Sequence, residues 1–227
     1  AEAEDFSVDQ REHYHSRHYE VGKLLGRQDI SNEAFESLLA QGSCAGYFLR
    51  AYDKIRDIPE NTELTPLTRE LCRPAVEYLE ENRSAIANDS RCLHLLLHTW
   101  WKMQTGKPLF YGERQTVLLS EENWKYFLGI IMDLMNISEF STNPSLMYLR
   151  GLATFHLGYT VDAFNIFREL ERESDYVTGR RRIIRSYLAS TIDGKPRKFN
   201  GTVTWKSEDG RKGEIYVEEI RRKIPFF

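Results

Sequence analysis

Residues 146–170 read LMYLRGLATFHLGYTVDAFNIFREL, and their apolar spacing sets the architecture expected of the chain. In the first half Leu146, Leu149, Leu152, Ala153, Phe155 and Leu157 cover more than one face of a helix. Such a helix is buried against neighbours on two sides. In the second half Phe164, Ile166, Phe167 and Leu170 form a single inward stripe. Gly158 supplies the turn between the halves, and Gly151 and Ala163 are small enough to let two antiparallel helices approach closely. The stretch contains no obvious catalytic group, so it speaks for construction rather than for chemistry.

The same helical grammar extends upstream. A helix is expected over residues 7–27, capped by Ser7 and closed by Gly26, with further helices near 32–41 and 44–56. Thr65 followed by Pro66 is a helix start, since the hydroxyl accepts a first-turn amide and proline lacks only a donor that would be unpaired there. That helix is expected to reach Arg83. Asn88 or Asp89 begins the next, whose apolar face Leu93, Leu96, Leu97, Trp100 and Trp101 ends by Gly106. Residues 107–119 read as an irregular crossover, Ser120 caps a helix through Leu134, and Asn143-Pro144 opens the quoted hairpin. A further helix over about 178–190 carries Ile183, Ile184, Tyr187 and Leu188, which brings the expected total to about nine. Trp100, Trp101, Trp124 and Phe110 are expected in the core.

After Asp193-Gly194-Lys195-Pro196 the period changes. Phe199, Gly201, Val203 and Trp205 alternate with Asn200, Thr202, Thr204 and Lys206, the pattern of a half-buried strand. A turn-rich SEDGRKG leads to a second alternating run through Ile215 and Val217, and Ile224 to Phe227 is a third apolar piece. The expected fold is therefore mainly α: stacked antiparallel helix pairs over residues 1–193, followed by a β segment over 194–227 that forms a hairpin or partial barrel. A lone hairpin is marginal in water, so these strands must pack on helices or belong to a larger barrel.

The hairpin at 146–170 resembles the tetratricopeptide repeat, a helix–turn–helix unit of about 34 residues. Gly151, Gly158, Ala163 and Phe167 fall at that family's small, turn, small and aromatic positions. Arg150, Thr154 and Asp175 depart from it, standing where an apolar residue, an aromatic and a proline are expected. Thirty-four residues before Gly151 lies Val117, in the crossover, so no second copy follows in register. The C-terminal Phe-x-Gly-x-Val-x-Trp resembles the opening strands of an OB- or SH3-like barrel. Helical repeats followed by such a segment are similar in layout to the C-terminal sensor regions of STAND-type NTPases and related antiviral proteins. The resemblance implies a defence or signalling scaffold forming the C-terminal part of a larger protein.

Composition bounds the function classes. With 227 residues, 41% hydrophobic and 29% charged, the chain reads as an ordinary globular protein. It contains no run of 18 or more apolar residues, so no membrane-spanning helix and no membrane partner are expected. Its start is small and acidic rather than basic then apolar, so no signal peptide is expected. It also lacks an initiator methionine, which suggests processing or a piece of something longer. Cys44, Cys72 and Cys92 cannot all pair and lie in helical stretches, and they read as small buried hydrophobes in a reducing cytoplasm. Residues 1–176 carry 18 Lys+Arg against 28 Asp+Glu, whereas residues 177–227 carry 13 against 6. An acidic body with a basic end suggests different partners for the two.

The groups with potential chemistry are few. On a helix His13 and His15 point apart, and His15 with His18 lacks further ligands, so no metal site is expected. Thr105-Gly106-Lys107-Pro108 lacks the first glycine of a phosphate loop, and proline stands where Ser/Thr would hold magnesium. Glu121 with Glu122, and Glu169 with Glu171 and Glu173, read as helix-dipole and surface charges. No cofactor and no enzymatic activity are expected. The sharpest signal is Gly179-Arg180-Arg181-Arg182-Ile183-Ile184-Arg185, in which Arg181, Arg182 and Arg185 share a helix face, followed by Arg197 and Lys198 and then by Trp205 and Tyr216. These residues are the candidates for contact with a partner. Local positive density beside aromatic faces suits phosphate contact and base stacking, and the competing reading pairs the arginines with acidic helices. The function expected first is a non-catalytic scaffold for protein interaction or ligand sensing, with a protein or other domains of the same polypeptide as partner. A nucleic-acid-binding module is the alternative.

Overall fold

The computed structural model describes residues 7–58, 63–109, 118–172, 181–191 and 195–226, without the side chains at 181, 182, 185 and 188. Two compact units divide the chain, Ala1–Leu109 and Phe110–Phe227. Both are built mainly of helices that pack on one another, and the second ends in a small antiparallel sheet.

In the first unit Ser7 begins α1 (Val8–Leu24) with a reciprocal cap: its hydroxyl accepts from the Gln10 amide, and the Gln10 side chain accepts from the Ser7 amide. α1 lies against α2 (Gln28–Ala40) so closely that a Cβ at Gly22 would stand 2.7 Å from the Ser31 nitrogen. Tyr19, Ala34 and Phe35 form a core there with Leu39 and with Leu49 of α3 (Ala45–Asp53). The Tyr19 hydroxyl donates to Asp53 at 2.5 Å, and Lys23 pairs with the same carboxylate at 2.9 Å. Burial first, and then this hydrogen bond, push the Tyr19 phenol above its ordinary range.

The helix expected from Thr65 to Arg83 is interrupted. Thr65 caps α4 (Pro66–Arg69), a 3₁₀ turn spans Glu70–Cys72, and α5 (Arg73–Glu81) begins anew. The cause is Pro74, which has no amide to offer the Glu70 carbonyl. The Arg73 amide takes that carbonyl instead, tightening the turn. Asp89, rather than Asn88, caps α6 (Ser90–Thr105) by accepting from the Cys92 amide at 2.9 Å. Leu79, Leu93, Leu96, Leu97 and Trp101 are fully buried. Cys72 and Cys92 are buried as well, whereas Cys44 is half-buried. Gly106 ends α6 in the left-handed region, φ 72°, and its carbonyl accepts from the Leu64 amide.

In the second unit Ser120 caps α7 (Glu121–Asn136), and Asn143 caps α8 (Pro144–His156) by accepting from both the Ser145 and Leu146 amides. Trp124 of α7 is buried and stacks on His156, centroids 4.3 Å apart. Gly158, φ 80°, turns the chain into α9 (Thr160–Arg172). The close approach expected at Gly151 is present, since a Cβ there would stand 2.8 Å from Phe167 Cε1. α10 (Arg181–Ala189) packs on α9 and buries Ile184 and Tyr187. Phe110, and the crossover over 110–117, lie outside the described residues.

The sheet has the order β1 (Gly201–Lys206), β2 (Gly213–Val217), β3 (Arg222–Phe226), all antiparallel and not closed into a barrel. A tight turn joins β1 to β2, with the Ser207 hydroxyl donating to Asp209 at 2.6 Å and accepting from the Lys212 amide. Between β2 and β3 a 3₁₀ turn, Glu218–Ile220, lies against α9 and buries Ile220, with neighbouring Val217 buried as well. The half-burial expected of the first strand is absent, for all six residues of β1 are exposed. The sheet is held at its Val217–Ile220 end, and β1 is the strand farthest from that turn in the sheet order.

Candidate functional site

The candidate contact residues occupy α10, the segment after it and the sheet. The side chains of Arg181, Arg182 and Arg185 lie outside the described residues. Arg197 is half-buried and placed by the fold. Its amide donates to the Ala189 carbonyl at 2.8 Å and its Nη2 to the Ser190 carbonyl at 3.3 Å, so backbone and side chain together satisfy the end of α10. The guanidinium also lies 5.3 Å from the Phe155 ring centroid and 5.8 Å from that of Phe199. Burial lowers its pKa from the ordinary value, although a guanidinium stays charged at any physiological pH. Next to it Lys198 is exposed, with no ion pair among the described residues.

Trp205 and Tyr216 do come together on the sheet, by a route the simple alternation does not predict. Val203 pairs with Ile215 but Trp205 pairs with Glu214, so Thr204 is an extra residue in β1. This β-bulge carries Trp205 to the face opposite Val203. Trp205 therefore shares a face with Thr202, Glu214, Tyr216 and Lys223, and Lys223 on that face pairs with Glu214 at 3.3 Å. Trp205 itself is 54% exposed.

The other face carries an apolar row. Val203, Ile215 and Ile224 are directly opposed across the three strands, and Val203 is 53% and Ile224 41% exposed. At one side of this row the Phe226 ring lies over Gly213, filling the space a side chain would take. The outer edge of β1 borders the row and pairs with no described strand. A strand edge beside exposed β-branched residues is a surface that another chain can extend. Val203 and Ile215 are visible in the sequence as strand residues, but their alignment with Ile224 in one row follows only from the register.

The remaining sequence candidates resolve into structural parts. Gly106 of the phosphate-loop-like string is the α6 cap, and Lys107 pairs with Glu63. Glu121 pairs with Lys125 at 2.6 Å, and Glu122 is held below the usual carboxylate range by its own backbone amide and by Ser120. Glu169 and Glu171 lie on α9, and Glu173 lies outside the described residues. Tyr14 packs against both His15 and His18, at 5.3 and 4.2 Å between centroids, and burial followed by the His18 charge pushes the His15 pKa down. Among the described residues no group of three or more His, Cys, Asp or Glu is gathered for a metal, and no helix is long and apolar enough to cross a membrane.

No family model, no curated protein and no solved structure matches the chain.

Proposed function

We propose that the chain is a non-catalytic protein-recognition module, in which a helical platform presents an open three-stranded sheet to an extended segment of its partner. The observation that carries this reading is the row Val203–Ile215–Ile224, in register beside the unpaired β1 edge, with Val203 and Ile224 exposed and Ile215 half-buried between them. A segment pairing with β1 gains main-chain hydrogen bonds, and its alternate side chains extend the apolar row. The partner is a protein or another domain of the same polypeptide. In this proposal the α8–α9 hairpin is a degenerate tetratricopeptide-like pair, a reading supported by Gly151, Gly158, Ala163 and Phe167 and by the contact that Gly151 leaves open for Phe167. The layout of helical platform followed by β segment supports a place in a sensor region like that of STAND-type NTPases. The three free cysteines support a reducing cytoplasm.

Single-stranded nucleic acid is a second reading, favoured by one observation: the bulge sets Trp205 and Tyr216 on one face, as stacking platforms require. It is the weaker because the cation on that face, Lys223, is already paired with Glu214, and because Arg197 is engaged in holding α10. Selection of a random peptide library against the protein separates the two. Recovery of extended peptides with alternating apolar residues, whose binding Val203→Lys removes, supports protein recognition. Failure to enrich any peptide, with salt-sensitive oligonucleotide binding in its place, supports the second.

A further inference from the structure

Between α9 and the start of β3 the second unit forms a cleft of about 720 Å³, within the range of small-ligand sites. One wall is a single helical face carrying Asp162, Asn165 and Arg168, and the other is the consecutive run Arg221, Arg222 and Lys223. Arg222 and Lys223 are consecutive in β3 and point to opposite faces of the sheet, so they meet the cleft at the first residues of the strand rather than along one of its faces. Arg221 turns the chain into that strand. It adopts the left-handed conformation, φ 51° and ψ 45°, which is uncommon for a residue with a side chain, and its amide donates to the Glu218 carbonyl at 3.1 Å.

The lining holds four cations against one carboxylate. Lys223 is paired with Glu214, but among the described residues Arg168, Arg221 and Arg222 have no carboxylate partner. Arg168 and Arg222 are also half-buried, and arginines that outnumber the single carboxylate of a concave site, Asp162, attract an anion from solution. Guanidinium forks match the paired oxygens of phosphate, and Asn165 adds an amide donor. The apolar lining is limited to Val161 and Ile220, with no aromatic ring to stack on a base. We propose that this cleft binds a small polyanion with two or more phosphate groups, held by Arg168, Arg221 and Arg222 through its phosphates. The site is independent of the sheet row and of whatever pairs with β1.

Titration of the full chain with inorganic pyrophosphate at constant ionic strength, followed by calorimetry, tests the proposal. Saturable one-to-one binding is expected, weakened about tenfold by Arg168→Gln and by Arg221→Gly, each of which removes one charged fork. Arg221→Gly separates a lost contact from a lost fold, because glycine accepts the left-handed conformation readily and the thermal midpoint should not fall. Val203→Lys should bind pyrophosphate as the parent does. Four results would overturn the proposal: no saturable heat, unchanged affinity in both arginine variants, sulfate binding as tightly as pyrophosphate, or binding to single-stranded oligonucleotide without binding to pyrophosphate.

Discussion

Tyr187 lies flat on Phe167, ring centroids 5.0 Å apart and planes 7° from parallel. The same tyrosine meets Phe155 edge-on at 5.1 Å and Tyr148 at 6.3 Å, so one side chain of α10 joins both helices of the 146–170 hairpin. Through this ring the helix that precedes the sheet is fixed to its platform. Arg197, donating to the end of α10 and lying over Phe155, fixes the segment that follows.

Tyr187→Ala should therefore destabilise the protein by about 3–5 kcal/mol, the range for removing a large buried aromatic. Urea unfolding followed by circular dichroism measures it. Tyr187→Phe, which keeps the ring stack, should lose far less. Equal losses in the two variants would show that the hydroxyl, and not the stack, matters.

Gly151→Leu should also be costly. A Cβ at this position already meets the buried Phe167 ring at 2.8 Å and Ile166 at 3.2 Å, and overpacking of a tight core costs about 1–3 kcal/mol. The combination Gly151→Leu/Phe167→Ala should recover part of the loss, since the second change vacates the space the first one fills. Strict additivity of the two costs in denaturant unfolding would contradict the close approach.

Much of the helical layout is legible because its determinants are local. Ser7, Thr65, Ser120 and Asn143 each accept from an amide two or three residues on, and Gly106 and Gly158 take the left-handed turns expected of them. Proline is ambiguous in sequence, since it opens a helix at Pro66 and breaks one at Pro74. The site is less legible because it depends on register and on distant partners. An extra residue at Thr204 reverses the face of Trp205, and alternation alone places it with Val203. Arg197 reads as a free cation until Phe155, far upstream, is seen beneath it. The run at 221–223 reads as part of the basic end until the start of β3 is seen to border α9 across the cleft.

Acid should weaken the first unit through His98. Burial, with the nearby His94 charge adding to it, pushes the His98 pKa down to about 4, whereas in the unfolded chain it titrates near the ordinary value of about 6.5. Between these values the unfolded chain holds a proton that the folded chain declines. Stability is therefore full above about pH 6.5 and falls as the pH drops toward 4, by up to roughly 3 kcal/mol. Urea midpoints at about pH 7 and 4.5 measure the loss, and His98→Gln should shrink the difference between them. An unchanged difference in the variant would assign the acid sensitivity to other groups.

Recognition of a protein segment by the apolar row beside β1 is read from the affinity of a selected extended peptide for two double variants. Val203→Lys/Ile224→Lys should weaken binding at least about tenfold, since it places charge on the row that the bound segment extends, at Val203 directly beside it, while leaving the circular dichroism spectrum and thermal midpoint of the parent. Trp205→Ala/Tyr216→Ala, on the opposite face, should change the affinity less than about twofold, within the range of residues outside a contact. The reverse ranking, or peptide binding unaffected by either pair, would contradict recognition by this row.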